Sequence, residues 1–166
     1  MSYKIHKQYR LYGYDYSQNG AYFITIITKD RQPFFGEIQR GEIILSAIGN
    51  YVEENFSAVS DKIPYLQVEE WVIMPNHLHL IVSIENNQSP YTLVSGIQPL
   101  VKKSVSSFIN HLKGRIKRWC NDNGHEAFAW QPRFHDRIIW DPQEYLLVSH
   151  YIQNNVLNWE TDTEHI

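Results

Sequence analysis

The stretch from Trp71 to Ile84, W-V-I-M-P-N-H-L-H-L-I-V-S-I, limits the possible folds of this chain more than any other. Two apolar, β-prone runs flank a Pro75-Asn76 turn signal, which predicts antiparallel strands joined by a tight turn, the first from Leu66 to Met74. Side chains alternate across a strand, so His77 and His79 share one face. Leu78, Leu80, Val82 and Ile84 line the other, which is the core side. The two imidazoles are thereby expected on the less apolar surface, open for chemistry. A His-x-His pair on a strand is more often structural than functional, and spacing alone does not decide between the two.

The remaining segments supply a frame for that pair. Tyr22 to Thr28 is a β-branched run and reads as a central strand. F-F-G-E-I-Q-R-G-E-I-I-L reads as a hairpin turning at Gln39-Arg40-Gly41. Apolar positions Ile48, Tyr51, Val52, Phe56 and Val59 predict an amphipathic helix over Ala47 to Val59 with Ser46 as N-cap. Asn86 to Gly96 is polar and turn-rich and reads as a connection. From Pro99 to about Asn121 the stripe Val101, Val105, Phe108, Ile109, Leu112, Ile116 and Trp119 predicts a second helix. A short strand over Phe134 to Trp140 precedes Asp141-Pro142-Gln143-Glu144. That tetrad combines an N-cap, a proline at the first helical position and a capping box, and opens a helix predicted over 142–158. On it Tyr151 and Asn155 share a face, with Leu147 a turn earlier. The order strand, helix, strand, strand, helix, strand predicts an α+β, ferredoxin-like antiparallel sheet with two helices on one face, an inserted β-hairpin and an extra C-terminal helix. The whole chain, 1–166, reads as a single domain of that kind. With two helices covering the leucine face, the last helix is free to cross the histidine face and bring Tyr151 and Asn155 to His77 and His79.

Composition narrows the partners. The single cysteine, Cys120, forms no internal disulfide and excludes a cysteine-rich zinc site, which favours a reducing, cytoplasmic setting. No apolar run is long enough for a bilayer, so no membrane partner is expected. The net charge of −3 conceals a segregation. Residues 1–14 carry Lys4, Lys7 and Arg10 with no acid, and residues 99–118 carry Lys102, Lys103, Lys113, Arg115, Lys117 and Arg118, again with none. These nine cations are the candidate phosphate contacts. Residues 1–20 also form a tyrosine-rich basic arm, and the six tyrosines of residues 3–22, Tyr3, Tyr9, Tyr12, Tyr14, Tyr16 and Tyr22, have two readings: stacking on single-stranded bases, or packing on the body.

Several motifs together carry a family resemblance. M-P-N-H-L-H-L at Met74 to Leu80 resembles the His-hydrophobic-His signature of HUH endonucleases, and Y-I-Q-N-N at Tyr151 to Asn155 resembles the nucleophile helix of single-tyrosine transposases. The chain is most similar to the REP-associated tyrosine transposases, relatives of insertion-sequence transposases. L-Y-G-Y-D-Y-S-Q-N-G-A-Y-F-I-T-I at the N-terminal side, F-F-G-E-I and W-Q-P-R-F-H-D-R-I-I extend the likeness over nearly the whole sequence. The resemblance implies a metal-dependent, site-specific endonuclease and strand transferase acting on single-stranded DNA beside hairpins. Tyr151 would form a 5′-phosphotyrosine link. His77, His79 and Asn155 would hold one Mg²⁺ or Mn²⁺. Such a protein would act as a monomer or homodimer, and in related transposases the tyrosine helix docks on a partner subunit. This chain departs from the family in two places. Asn155 is followed by Val156 where proline is common, which predicts a longer helix, and Phe134-His135 lacks a competing tyrosine. Two other readings are weighed: a domesticated hairpin-binding protein that no longer cuts, and a histidine-triad nucleotide hydrolase, which needs a histidine where Ile81 stands.

Overall fold

The run that follows Asn19 forms β1 (Gly20–Ile27), the strand through which the rest of the sheet is joined. In this computed structural model, residue 11 and residues 13–85 and 103–161 are described, without the side chains of 57–62 and 161. After β1 come β2 (Gly36–Gln39), β3 (Glu42–Leu45), α1 (Ala47–Lys62), β4 (Leu66–Met74), β5 (His77–Ile84), α2 (Val105–Asp122), β6 (His135–Ile139) and α3 (Pro142–Asn154). The main sheet has the order β4-β5-β1-β6 with every neighbouring pair antiparallel. With β2 and β3 set apart as a separate hairpin, this is the expected ferredoxin-like α+β arrangement.

Local chemistry accounts for the boundaries. Arg40 and Gly41 both take positive φ, 54° and 78°, the two-residue turn whose twist suits a hairpin. The Ser46 hydroxyl caps α1 by accepting from the Gly49 amide at 3.1 Å. A Cβ on Gly49 would run into the Phe35 carbonyl, so the helix meets the hairpin there only with glycine. For α2, Lys103 has φ 58° and the Ser104 hydroxyl accepts from the Ser107 amide, so the helix starts at Val105 rather than near Pro99. The Asn86 to Gly96 connection lies outside the described residues, as do Lys4, Lys7, Arg10 and Lys102.

The two faces of the sheet are both covered. Tyr22, Ile24 and Ile26 of β1 join Leu78, Leu80, Val82 and Ile84 of β5 against Ile48, Val52 and Phe56 of α1 and Phe108, Ile109, Leu112 and Ile116 of α2. The opposite face carries a smaller cluster in which Phe23, Ile81 and Ile139 meet Val148 and Ile152 of α3. Tyr16 and Tyr22 are buried in the main core, with Tyr14 packed edge-on against Tyr16 at 5.0 Å between ring centroids. For these rings the packing reading holds; Tyr3, Tyr9 and Tyr12 lie outside the described residues.

One feature of β4 departs from simple alternation. Leu66 and Val68 face the main core, and strict alternation would send Glu70 there too. A bulge between Val68 and Glu70 inserts one residue and reverses the phase. Trp71 and Ile73 then return to the core side, while Glu70 and Val72 turn to the α3 side.

Candidate active site

Register puts the histidines at the centre of the α3 face. His79 pairs across from Thr25 of β1 and Val72 of β4, and His77 from Ile27 and Met74. Contrary to the expectation of an open face, both imidazoles are 0 % exposed. The cause is α3 and the segment after it, with help from β1: Tyr151 lies edge-on to His79 at 5.3 Å, Trp159 stacks on His77 at 6.1 Å, and Phe23 of β1 stacks on His79 at 5.1 Å.

The ring nitrogens are organised in two shells. The two Nε2 atoms converge to 3.0 Å of each other. Each Nδ1 has its own oxygen partner, Asn76 Oδ1 at 2.7 Å for His77 and Thr25 Oγ1 at 2.9 Å for His79. If both Nδ1–H groups donate outward, both Nε2 lone pairs point to one spot, the tautomer a metal ion requires. Thr28 fastens this arrangement, its amide and hydroxyl both donating to the Asn76 carbonyl at 2.9 Å. Sequence patterns do not single out Thr25, Asn76 or Thr28: Thr25 is only a β-former there and Asn76 only a turn residue.

Tyr151 comes to the same spot, its hydroxyl 3.2 Å from His79 Nε2 and its ring edge-on to Phe23. In this chain, therefore, the tyrosine helix packs on its own sheet. Asn155 keeps helical dihedrals, φ −62° and ψ −42°, so it stands one helical turn beyond Tyr151. It is 1 % exposed, and its Oδ1 is buried without a hydrogen-bond partner. The α-helix itself stops at Asn154, short of the predicted 158, and Val156 in place of proline does not prolong it. The Asn154 amide side chain donates to the His150 carbonyl at 2.8 Å, local competition of the kind that weakens a helix end, and tighter turns follow through Trp159.

These donors fit a divalent ion. Ligands at neighbouring corners of an octahedron with bonds of about 2.1 Å lie about 3.0 Å apart, the separation of the two Nε2 atoms. No group of three or more His, Cys, Asp or Glu that could hold a metal ion exists among the described residues, so a third donor among them is of another kind. The orphaned Asn155 oxygen is such a group.

Burial also keeps the imidazoles neutral. Desolvation, then the neighbouring His79, then the Arg31 guanidinium hold His77 well below the usual histidine range. Burial alone takes His79 down to about 3. Arg31, on the turn after β1, is a charged neighbour that no motif signals. Because the folded values lie below the unfolded value of about 6.5, the unfolded chain binds protons first. Stability contributed by the neutral rings is complete above that pH and is lost as pH falls toward the folded values. Urea unfolding in a chelating buffer should show it: wild type loses stability relative to His79→Gln below pH 6.5, by up to ~1.4 kcal/mol per pH unit. Parallel curves for the two proteins would contradict the assignment.

The candidate DNA contacts separate into two groups. Lys113 Nζ donates to the carbonyls of Gln131 and Arg133 at 2.8 and 2.9 Å, and Lys117 Nζ to those of Glu126 and Phe128 at 3.0 and 2.6 Å. These two lysines fasten the segment between α2 and β6. Lys103, Arg115 and Arg118 are exposed. All sit with α2 on the sheet face opposite the histidine pair.

The fold is one found among transposases. The family model described as "Transposase IS200 like" matches residues 17–155, and the chain belongs to that family. Among its relatives, an uncharacterised Haemophilus influenzae protein is 33 % identical over 160 residues, covering 92 % of this chain and 89 % of the relative. A second H. influenzae protein, provisionally described as a REP-associated tyrosine transposase, is 24 % identical, covering 87 % of this chain and 74 % of its own. The solved structure of a REP-associated tyrosine transposase bound to a REP hairpin has the same fold, with TM-score 0.62 and 20 % identity over 92 % of this chain and 74 % of that one. No helix among the described residues is long and apolar enough to cross a membrane.

Proposed function

We propose that this protein is a metal-dependent, site-specific endonuclease and strand transferase for single-stranded DNA next to hairpins, with Tyr151 as nucleophile. The observation that carries the reading is the meeting of the Tyr151 hydroxyl with the paired Nε2 atoms of His77 and His79. The family and the hairpin-bound structural relative supply the substrate class.

In this reading Tyr151 Oη attacks phosphorus, the P–O3′ bond breaks, the phenolic proton departs and the leaving 3′ oxygen takes up a proton. The products are a 5′-phosphotyrosine and a free 3′-OH, and the reverse reaction rejoins strands. The covalent link conserves the phosphodiester, so no nucleotide cofactor is required. His77, His79 and Asn155 would hold Mg²⁺ or Mn²⁺, which when bound supplies Lewis-acid charge to the scissile phosphate and the leaving oxygen. Asn76 Oδ1, an acceptor, favours the His77 tautomer with hydrogen on Nδ1, and the Thr25 hydroxyl can accept from His79 Nδ1 in the same sense. Phe23 and Trp159 fix the ring planes. A phenol, which ordinarily ionises at about 10, needs nearby positive charge to react at neutral pH.

The decisive test is an SDS-resistant protein–DNA adduct, formed with Mn²⁺ and a single strand carrying a hairpin from the protein's own locus. Hairpin binding without any adduct would instead favour the domesticated, non-cutting protein. The cations make a separate prediction. Lys4, Lys7, Arg10, Lys102, Lys103, Arg115 and Arg118 remain the candidate phosphate contacts. Neutralising Arg115 and Arg118 together should flatten the salt dependence of hairpin affinity by about 0.7 in slope for each phosphate that is no longer neutralised. Lys113→Met and Lys117→Met should mainly lower thermal stability, because each leaves two carbonyls without their donor. An unchanged slope in the double arginine variant would move the DNA path off α2.

A further inference from the structure

The bulge in β4 and the inner face of α3 meet at one carboxylate. Ser149 Oγ donates to Glu70 Oε1 at 2.5 Å, Gln153 Nε2 reaches Glu70 Oε2 at 3.4 Å, and Gln153 Nε2 also donates to Ser149 Oγ at 3.2 Å. Ser149 and Gln153 stand two residues before and two after Tyr151. We propose that Glu70 is a positioning residue that latches α3 onto its own sheet and so holds the Tyr151 hydroxyl over the histidine pair. This rests on the reading of Tyr151 as nucleophile.

Three observations carry it. First, the extra residue at the bulge is what turns Glu70 toward α3; without it the carboxylate would enter the main core, where an unpaired charge is costly. Second, the apolar support under α3 is small: Val148 and Ile152 on Phe23, Ile81 and Ile139, with Leu146 and Leu147 of the same helix left exposed. A hydrogen bond to a charged acceptor, worth more than a neutral one, is then a sizeable share of what fixes the helix. Third, a second polar attachment of α3 to the sheet lies at its far end. Arg137 of β6 pairs with Glu144, which also receives the Trp140 amide at 2.9 Å. That fixes the first turn but leaves rotation of the Tyr151 turn to be set by β4.

The experiment compares wild type, Glu70→Ala, Ser149→Ala and Glu70→Gln by amide hydrogen exchange and by single-turnover adduct formation on hairpin DNA with Mn²⁺. In the two alanine variants, amides of residues 146–155 should exchange roughly tenfold faster while those of α1 and α2 are unchanged. Adduct formation should slow by a similar factor, with the DNA concentration for half-saturation unaltered. Glu70→Gln keeps an acceptor for Ser149 and should restore most of both. Unchanged exchange in α3, or faster exchange with a wild-type adduct rate, overturns the proposal. A loss of hairpin affinity in place of rate overturns it as well. If wild type forms no Tyr151 adduct, the proposed function falls instead, and the exchange comparison alone supports or overturns the latch.

Discussion

Tyr151→Phe should abolish the covalent protein–DNA adduct while leaving hairpin affinity within about twofold of wild type. The substitution removes only the phenolic oxygen. The ring's edge-on packing against Phe23 at 6.0 Å is retained, so α3 keeps its seat. Loss of the oxygen placed at His79 Nε2 should cost at least about three orders of magnitude in cleavage, or ~4 kcal/mol of transition-state stabilisation. Single-turnover cleavage resolved on denaturing gels measures the first quantity, and equilibrium binding to the uncut hairpin measures the second. An adduct that persists in Tyr151→Phe assigns the nucleophile to another residue.

The second large effect is expected at the histidines. His77→Ala should eliminate cleavage, and chelation of divalent ions should do the same to wild type, with recovery on adding Mn²⁺. Hairpin affinity should stay nearly constant in both, because a buried imidazole is not part of an extended phosphate interface. The variant also leaves a hole beneath Trp159 and loses the hydrogen bond to Asn76. Some stability is therefore lost, by analogy with other large-to-small core changes about 2–4 kcal/mol, and cleavage must be assayed well below the melting temperature. Mn²⁺ binding followed by electron paramagnetic resonance gives a readout independent of DNA. Full-strength Mn²⁺ binding by His77→Ala would refute the ligand assignment.

Strand alternation around His77 and His79 is readable directly from residues 71–84, because period two leaves no freedom once Leu78, Leu80 and Val82 are assigned to the core. The i, i+4 relation of Tyr151 and Asn155 is readable for a similar reason. The burial of the histidines is not, since it depends on Phe23 and Trp159, distant in sequence and unremarkable in composition. The bulge is hidden too: V-E-E-W reads as an ordinary strand, and only the pairing with β5 reveals which glutamate is extra. Cation counting treats Lys113 and Lys117 like Arg115 and Arg118, although two of the four serve backbone carbonyls. Periodicity locates a charge on a helix; it does not locate the carbonyls of a loop nine to twenty residues away.

The two faces of β5 have unequal duties, and this shapes what substitution can do over generations. The leucine face belongs to the large core shared with α1 and α2, whereas the histidine face rests on a five-residue cluster and a few hydrogen bonds. Changes that erase the chemistry can thus accumulate at Tyr151, Asn155 or Glu70 while the main core remains intact. A descendant that had lost cutting would still display the same basic helix on the far side of its sheet. Inheritance of the scaffold and inheritance of the proposed reaction are separable in this architecture, and a silent lineage would retain a folded, basic surface available for another use.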